Sequence, residues 1–232
     1  KFNSGTTCLD NVSKAGGYSS AERWSFVQFG NAVLASNNDD KIQAWYVGTS
    51  SAFADVSASA PIAKYITVVR DFVVAANISG TPNKLQWSDI NDETDWTSGG
   101  ASQADYQLIA EGGNITGITG GEFGIVLLER AIYRMSYIGS PLFFQFDAIS
   151  RNLGCNTPGS ATQYGPNTYF LADDGFYACD GKSITPIGAE KVDKYFYANL
   201  NISNISTMSS TIDPVRKIVI WNYPTTSGGR EL

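Results

Sequence analysis

Apolar and polar positions along this chain alternate with a period of two far more often than with one of 3.6. Short runs rich in Val, Ile, Tyr, Phe and Trp are separated by Gly, Asn, Asp and Pro. That pattern predicts many short strands joined by tight turns. The clearest stretch runs Thr168-Tyr169-Phe170-Leu171, Asp174-Gly175, Phe176-Tyr177-Ala178-Cys179, Asp180-Gly181, Ser183-Ile184-Thr185. Asp-Gly between β-prone runs favours the type I′ turn, whose two central residues both need positive φ. The stretch therefore predicts a three-stranded meander with two such turns.

A spaced repetition extends this to an architecture. An apolar run following a turn recurs as Ala32-Val33-Leu34-Ala35, Phe72-Val73-Val74-Ala75, Gly124-Ile125-Val126-Leu127, Thr168-Tyr169-Phe170-Leu171 and Lys217-Ile218-Val219-Ile220. Steps between the second positions are 40, 52, 44 and 49 residues. A second β-prone segment and a turn precede the first four runs, at 24–29, 65–69, 115–118 and 161–164. Units of this size with about four short strands are those of propeller blades. The predicted fold class is all-β, a β-propeller of about five blade-like units. The alternative is a β-sandwich in which strands recur by chance.

One segment, 190–198, places Val192, Tyr195 and Phe196 at i, i+3 and i+4 and predicts a single short helix. Residues 1–23 are polar and glycine-rich, the blade repeats span 24–223, and a polar tail occupies 224–232. The whole is expected to be one propeller domain. The tail leaves the last unit short of its outer strands, and the first residue is Lys1, so the chain is expected to be part of a longer ring.

Composition narrows the chemistry. The 232 residues include 16 basic and 22 acidic side chains, a net charge of −6, and no histidine. Without histidine there is no Ser-His-Asp or Cys-His dyad, no HExxH zinc site and no imidazole switch. Charged residues make up only 16 %, against about 25 % in an average domain. The acidic balance argues against a nucleic-acid-binding surface. Cys8, Cys155 and Cys179 are widely spaced, allow one disulfide at most, and suggest no metal site. No run is long and apolar enough for a membrane span, and no cofactor motif is present.

Individual motifs resolve toward structure. Asp180-Gly181-Lys182-Ser183 resembles the end of a phosphate loop, but Phe176 stands where its first glycine belongs and no helix follows. The glycines between Gly112 and Gly124 precede a strand instead of opening a helix, so they read as turn residues. Asp89-Ile90-Asn91-Asp92-Glu93-Thr94-Asp95 opens like a calcium loop, yet has Thr94 at the turn glycine and Gly100 at the bidentate glutamate. It is expected to be an exposed loop whose flanking Trp87 and Trp96 fold back on the blade. Glu111, Glu122, Glu129 and Asp147 are the acids that glycoside hydrolysis would need in pairs, and nothing in the sequence pairs them. Sequons at Asn11, Asn77, Asn114, Asn201 and Asn204 are expected by chance in a chain this rich in Asn, Ser and Thr. No catalytic, cofactor-binding or metal-ligating residue is assigned.

The order of motifs resembles a known family. Ala60-Pro61-Ile62-Ala63-Lys64-Tyr65, Val69-Arg70-Asp71-Phe72-Val73-Val74, Leu85-Gln86-Trp87-Ser88-Asp89-Ile90 and Asp95-Trp96 come first. Ile125-Val126-Leu127-Leu128-Glu129-Arg130-Ala131-Ile132-Tyr133-Arg134, Leu153-Gly154-Cys155, Phe170-Leu171-Ala172-Asp173-Asp174-Gly175-Phe176-Tyr177 and Lys191-Val192-Asp193 follow. Over 24–223 this series resembles the β-propeller tail proteins of tailed bacteriophages, including the packaged-DNA stabilisation proteins that form the hub or nozzle of short-tailed phages. The resemblance implies a non-enzymatic virion protein in the tail. It implies a homo-oligomeric ring, commonly a hexamer, below the portal and adaptor, which continues the DNA channel and holds the needle or fibres. An acidic wall that does not neutralise phosphates would let genomic DNA pass without specific binding. The alternative function is a carbohydrate-binding propeller for host recognition, with Trp45, Tyr46 or Trp221 stacking on sugar rings.

Overall fold

The computed structural model describes residues 2, 3, 5, 8–19 and 23–232. Near the start, β1 (Phe2–Asn3) and β2 (Cys8–Leu9) pair antiparallel. Five antiparallel sheets then follow in strict chain order. The first holds β3 (Ser25–Phe29), β4 (Ala32–Ser36), β5 (Gln43–Tyr46) and β6 (Ala54–Asp55). The second holds β7 (Ala63–Val69), β8 (Phe72–Ile78), β9 (Thr81–Trp87) and β10 (Asp105–Leu108). The third holds β11 (Ile115–Thr119), β12 (Gly124–Leu128), β13 (Ile132–Gly139) and β14 (Phe143–Ser150). The fourth holds β15 (Thr162–Tyr164), β16 (Asn167–Leu171), β17 (Phe176–Cys179) and β18 (Ile184–Pro186). The fifth has three strands, β19 (Ser209–Asp213), β20 (Ile218–Pro224) and β21 (Arg230–Glu231). Between the fourth and fifth lie α1 (Asp193–Asn199) and a 3-10 helix, Ile202–Thr207.

The fold is all-β, a five-blade β-propeller, which settles the choice against a sandwich. Each apolar run of the repeat falls on the second strand of a blade: β4, β8, β12, β16 and β20. A strand flanked in its sheet and covered on both faces reads as a continuous apolar run instead of alternating. Accordingly all five residues of β12 are buried, and Phe72 through Ala76 of β8 are buried too.

Two compact units divide the chain, Lys1–Gln107 and Leu108–Leu232. In the first, Leu34, Ile42, Ile66, Val73, Ala75 and Trp96 share one core. Ser25 links its two blades, donating from Oγ to Ile66 O (3.3 Å) and accepting from Ile66 N (3.2 Å). In the second unit, Ile125, Leu127, Ile132, Cys155, Phe170 and Cys179 form one core, and Leu171, Phe176, Phe196, Leu200, Met208 and Tyr223 form another. Polar side chains fasten neighbouring blades there as well. Gln163 accepts from Gly120 N (3.2 Å) and donates to Gly120 O (2.6 Å). Ser210 Oγ lies 2.9 Å from Gly159 O and 3.1 Å from Ala161 O. Groups that would otherwise be buried without partners are satisfied in this way, and the blades are held in register.

The meander 168–185 forms as β16, β17 and β18, but its turns differ from the expectation. Neither Asp174 nor Asp180 has positive φ, so no type I′ turn forms. Each connection instead spans four residues, closed by Ala172 N to Gly175 O (2.9 Å) and Asp180 N to Ser183 O (3.3 Å). The Asp180 carboxylate accepts from Lys182 N (2.8 Å) and Ser183 N (2.7 Å), an Asx turn that outcompetes the tighter loop.

The helix is realised three residues later than predicted. Glu190 has φ of +59°, which the helix cannot accommodate, and Gly188 O accepts from Lys191, Val192 and Asp193 N–H groups before α1 begins. The 3-10 helix Ile202–Thr207 carries only two apolar residues, Ile202 and Ile205, too few to mark it in the pattern. The polar tail is not without structure, because β21 pairs Glu231 with Tyr223 and Arg230 with Pro224.

Candidate functional site

The acidic loop after β9 consumes its own oxygens. Asp89 Oδ1 accepts from Ile90 N (2.8 Å) and Gln103 N (2.7 Å), while Asp92 Oδ1 accepts from Thr94 N (2.8 Å) and Thr94 Oγ1 (2.6 Å). Those bonds to Thr94, side chain first, hold the Asp92 carboxyl below its usual range. Glu93 Oε1 accepts from the Tyr46 hydroxyl at 2.8 Å. Trp87 and Trp96 are each 2 % exposed, and their indole N–H groups donate to Gln103 O (2.8 Å) and Glu93 O (2.7 Å). The expected fold-back of both tryptophans is therefore present, and among the described residues no group of three metal-ligating side chains occurs.

The four acids singled out for hydrolysis occupy separate settings. Glu111 pairs with Arg151 on the surface, Asp147 is exposed on β14 and accepts from Gln145 Nε2 (2.7 Å), and Glu122 is exposed. Glu129 is half-buried beside Gly113. None of the four lines any cleft described below. Cys155 and Cys179 are buried and unbridged. Burial pushes both thiols up, which keeps them protonated and unreactive. The Cys8 side chain lies outside the described residues.

The aromatic candidates are half-buried. Tyr46 is tied to Glu93; burial first and then that bond push its phenol up to about 12. Trp221 donates its indole N–H to Ser160 O (2.8 Å) and lies on Phe176 with centroids 4.6 Å apart, so one ring face is already covered.

What the acidic and aromatic motifs do not supply, the fifth blade does. Beside β20 an apolar groove of about 450 Å³ opens, lined chiefly by Val192, Tyr195, Phe196, Ile220, Trp221 and Leu232. Val192 is 53 % exposed, Tyr195 60 % and Leu232 84 %, an unusual concentration of exposed apolar area. Behind it stands a built wall. Phe196 meets Phe176 edge-on at 4.9 Å and Tyr223 at 4.7 Å. Tyr223 donates to Glu231 Oε2 at 2.7 Å, anchoring β21, and burial followed by that bond pushes its phenol up to about 12.

Asp193 fixes α1 to this wall. Its Oδ1 accepts from Phe176 N at 3.2 Å, and its carboxylate fills space that a side chain at Gly175 or Gly188 would occupy. The motifs Asp174-Gly175-Phe176 and Lys191-Val192-Asp193 are thus two halves of one clasp. The groove itself was not legible as a site, because its residues come from separate segments spread between Phe176 and Leu232.

Other clefts are less developed. One near the start of the chain is lined by Tyr18, Trp24, Phe26 and Phe53 among others. A polar one lies between the 3-10 helix and β21, at Asn201, Asn204 and Arg230.

The sequence matches no known protein family and no curated protein. Among solved structures it is similar to the dihydro-heme d1 dehydrogenase NirN in complex with DHE, at 12 % identity and a TM-score of 0.46, covering 88 % of this chain and 42 % of that one. It is also similar to BamB from Moraxella catarrhalis, at 12 % identity and a TM-score of 0.44, covering 71 % and 44 %. The computationally designed Ika4 protein matches at 14 % identity and a TM-score of 0.45, covering 78 % of this chain and 100 % of that one. The chain spans less than half the length of NirN and of BamB. Nothing about function follows from likenesses this distant, and none of the three descriptions names a phage tail protein.

Proposed function

We propose that this chain is a structural, non-enzymatic component of a bacteriophage tail. It would sit at the head-to-tail hub of the virion. A homo-oligomeric ring, commonly a hexamer, would continue the DNA channel below the portal and adaptor, stabilise packaged DNA and hold the needle or fibres. One observation carries the assignment: the motifs behind the resemblance fall, in order, on scaffold positions. Val69-Arg70-Asp71-Phe72 makes the β7–β8 turn, with Arg70 at φ of +52°. Leu153-Gly154-Cys155 packs its backbone on the turn 128–130, and Lys191-Val192-Asp193 belongs to the α1 clasp. A chain whose distinctive residues build blades and blade contacts suits an assembly part better than a catalyst.

The test is a mass measurement of the protein in solution, alone and with a purified portal ring. A multi-copy ring that binds portal is the expected result; a monomer that ignores portal refutes the assignment. Filter binding at low salt should show no micromolar affinity for duplex DNA, since an acidic wall gains no counterion release. Specific retention on a glycan array would favour the carbohydrate-binding alternative instead.

A further inference from the structure

The connection between β13 and β14 differs from the other turns of the blades. From Met135 to Phe146 the chain holds 12 residues without a charge, and Arg134 and Asp147 close the stretch as cross-strand partners. Turns such as Arg70-Asp71, Glu129-Arg130 and Asp173-Asp174 are charged by contrast. Here Ile138 is 49 % exposed and Leu142 67 %, and Pro141 between them is exposed too. Val215, at the β19–β20 turn, is more exposed still, but Arg216 and Lys217 follow it directly.

The hairpin also outruns its blade. β12 pairs with β13 only between Gly124↔Met135 and Leu127↔Ile132, whereas β13 and β14 continue through Ser136↔Gln145, Tyr137↔Phe144 and Gly139↔Phe143. The Tyr137 ring meets Phe144 edge-on at 5.6 Å, and Phe144 is buried, so the base is stiff. Behind it the Arg134 guanidinium sits over the Phe123 ring, 4.3 Å from its centroid. At the tip, Phe143 has φ of +58° and Phe144 N donates to Leu142 O at 2.6 Å. This is a γ-turn, in a conformation that bulky residues rarely adopt, and it leaves Leu142 at the apex.

Shape and size decide what such a finger fits. It is convex, so it offers no groove to an extended peptide. Two exposed side chains and a proline cover far less than the about 800 Å² per partner of a stable protein interface, which also sets aside a second copy. Insertion into a lipid interface needs no groove and no minimum area. It needs apolar side chains, no charge within reach and few backbone donors without partners. The finger meets those terms. Pro141 has no N–H, and Phe144 N is used within the turn. Gly139 lies five residues beyond Arg134, about 16 Å at the usual rise of a strand, while interfacial insertion reaches about 5–10 Å.

We propose that the tip of the β13–β14 hairpin, with Ile138 and Leu142 leading, is a docking finger that enters the interfacial layer of a phospholipid bilayer. The net charge of −6 repels anionic headgroups, so the matching surface is zwitterionic. Tyr137 stands one rung behind the tip, at the level where amphipathic rings settle in a membrane interface. Two side chains anchor less strongly than one myristoyl chain, whose constant is about 10⁴ M⁻¹, so a single copy binds reversibly. The proposal rests on the third blade alone and goes beyond the tail assignment.

The test is flotation of the full chain with phosphatidylcholine vesicles in a density gradient. The expected result is that about half of the protein floats at roughly 10 mM lipid. Leu142→Asp and Ile138→Asp should each lower the bound-to-free ratio about tenfold, with melting by circular dichroism unchanged. Val192→Asp, which removes exposed apolar area from the groove by β20, should float like the parent, and admixed phosphatidylglycerol should weaken binding. No flotation at roughly 10 mM lipid overturns the proposal and points to a protein partner instead. Flotation that survives the double variant Ile138→Asp/Leu142→Asp, that is lost in Val192→Asp, or that occurs only with phosphatidylglycerol also overturns it.

Discussion

Replacing Gly154 by alanine probes the closest backbone approach in the second unit. A methyl group there would sit 2.6 Å from Arg130 N and 2.6 Å from the Glu129 carbonyl carbon, and closer still to Leu128 O. All three are backbone atoms, so no side chain can swing aside. The turn they belong to is tied down by Leu128 N to Ala131 O (2.9 Å), Arg130 N to Gly112 O (2.9 Å) and Cys155 N to Leu128 O (2.8 Å). Gly154 has no left-handed φ, so the effect is steric and not conformational. Overpacking costs about 1–3 kcal/mol, and displacing the turn weakens at least one hydrogen bond worth about 1 kcal/mol. The expected loss is about 2–4 kcal/mol, or about 5–15 °C in Tm for a chain of this size. Gly48→Ala is the control: its φ is +84° with open space around it, which costs roughly 1–2 kcal/mol of backbone strain. Thermal and urea unfolding followed by circular dichroism measure both. If Gly154→Ala melts within about 1 °C of the parent, or loses less than Gly48→Ala, the close-approach argument is wrong.

Three further outcomes are expected. The phenols of Tyr46, Tyr197 and Tyr223 are each pushed up to about 12, burial being the first cause, from an ordinary value near 10. Because the fold favours their neutral forms, the stability they add is complete below about pH 10 and lost as pH rises toward 12; a tyrosinate absorbance titration in which every tyrosine ionises near 10 with the fold intact would contradict this. Asp193→Ala should lower the urea midpoint by the equivalent of about 1–3 kcal/mol with an unchanged m value, since it leaves the Phe176 N–H unpaired behind the groove; a wild-type midpoint would show that the clasp does not hold α1. Cys155 and Cys179 should resist thiol reagents in the native protein and react on unfolding, located by peptide mass, because both are buried with raised pKa.

How much was readable from the residues depends on the range of the interactions. Val126 and Val73 announce second strands because double-sided burial leaves a local signature, a continuous apolar run. Trp87 and Trp96 announce a folded-back loop because a large indole has few other places to go. The turns were misread at Asp174 and Asp180, where an Asx side-chain bond competes with the loop geometry that Asp-Gly favours. The start of α1 was misread because Glu190 takes a positive φ that a helix cannot accommodate. The groove by β20 combines residues from Phe176 to Leu232, and no local pattern encodes that meeting.

By itself, then, the sequence pointed to about five blade-like units, the second strand of each, one short helix and the absence of imidazole chemistry. Each follows from period, spacing or composition, which are properties of neighbours along the chain. Only the tertiary structure decided that the two motifs meeting at Asp193 form one clasp, that Gly154 is a point of backbone contact, and that an apolar groove opens beside the fifth blade. Those depend on which backbone groups find partners after folding, and hydrogen-bond pairing between distant segments leaves no trace in a one-dimensional pattern.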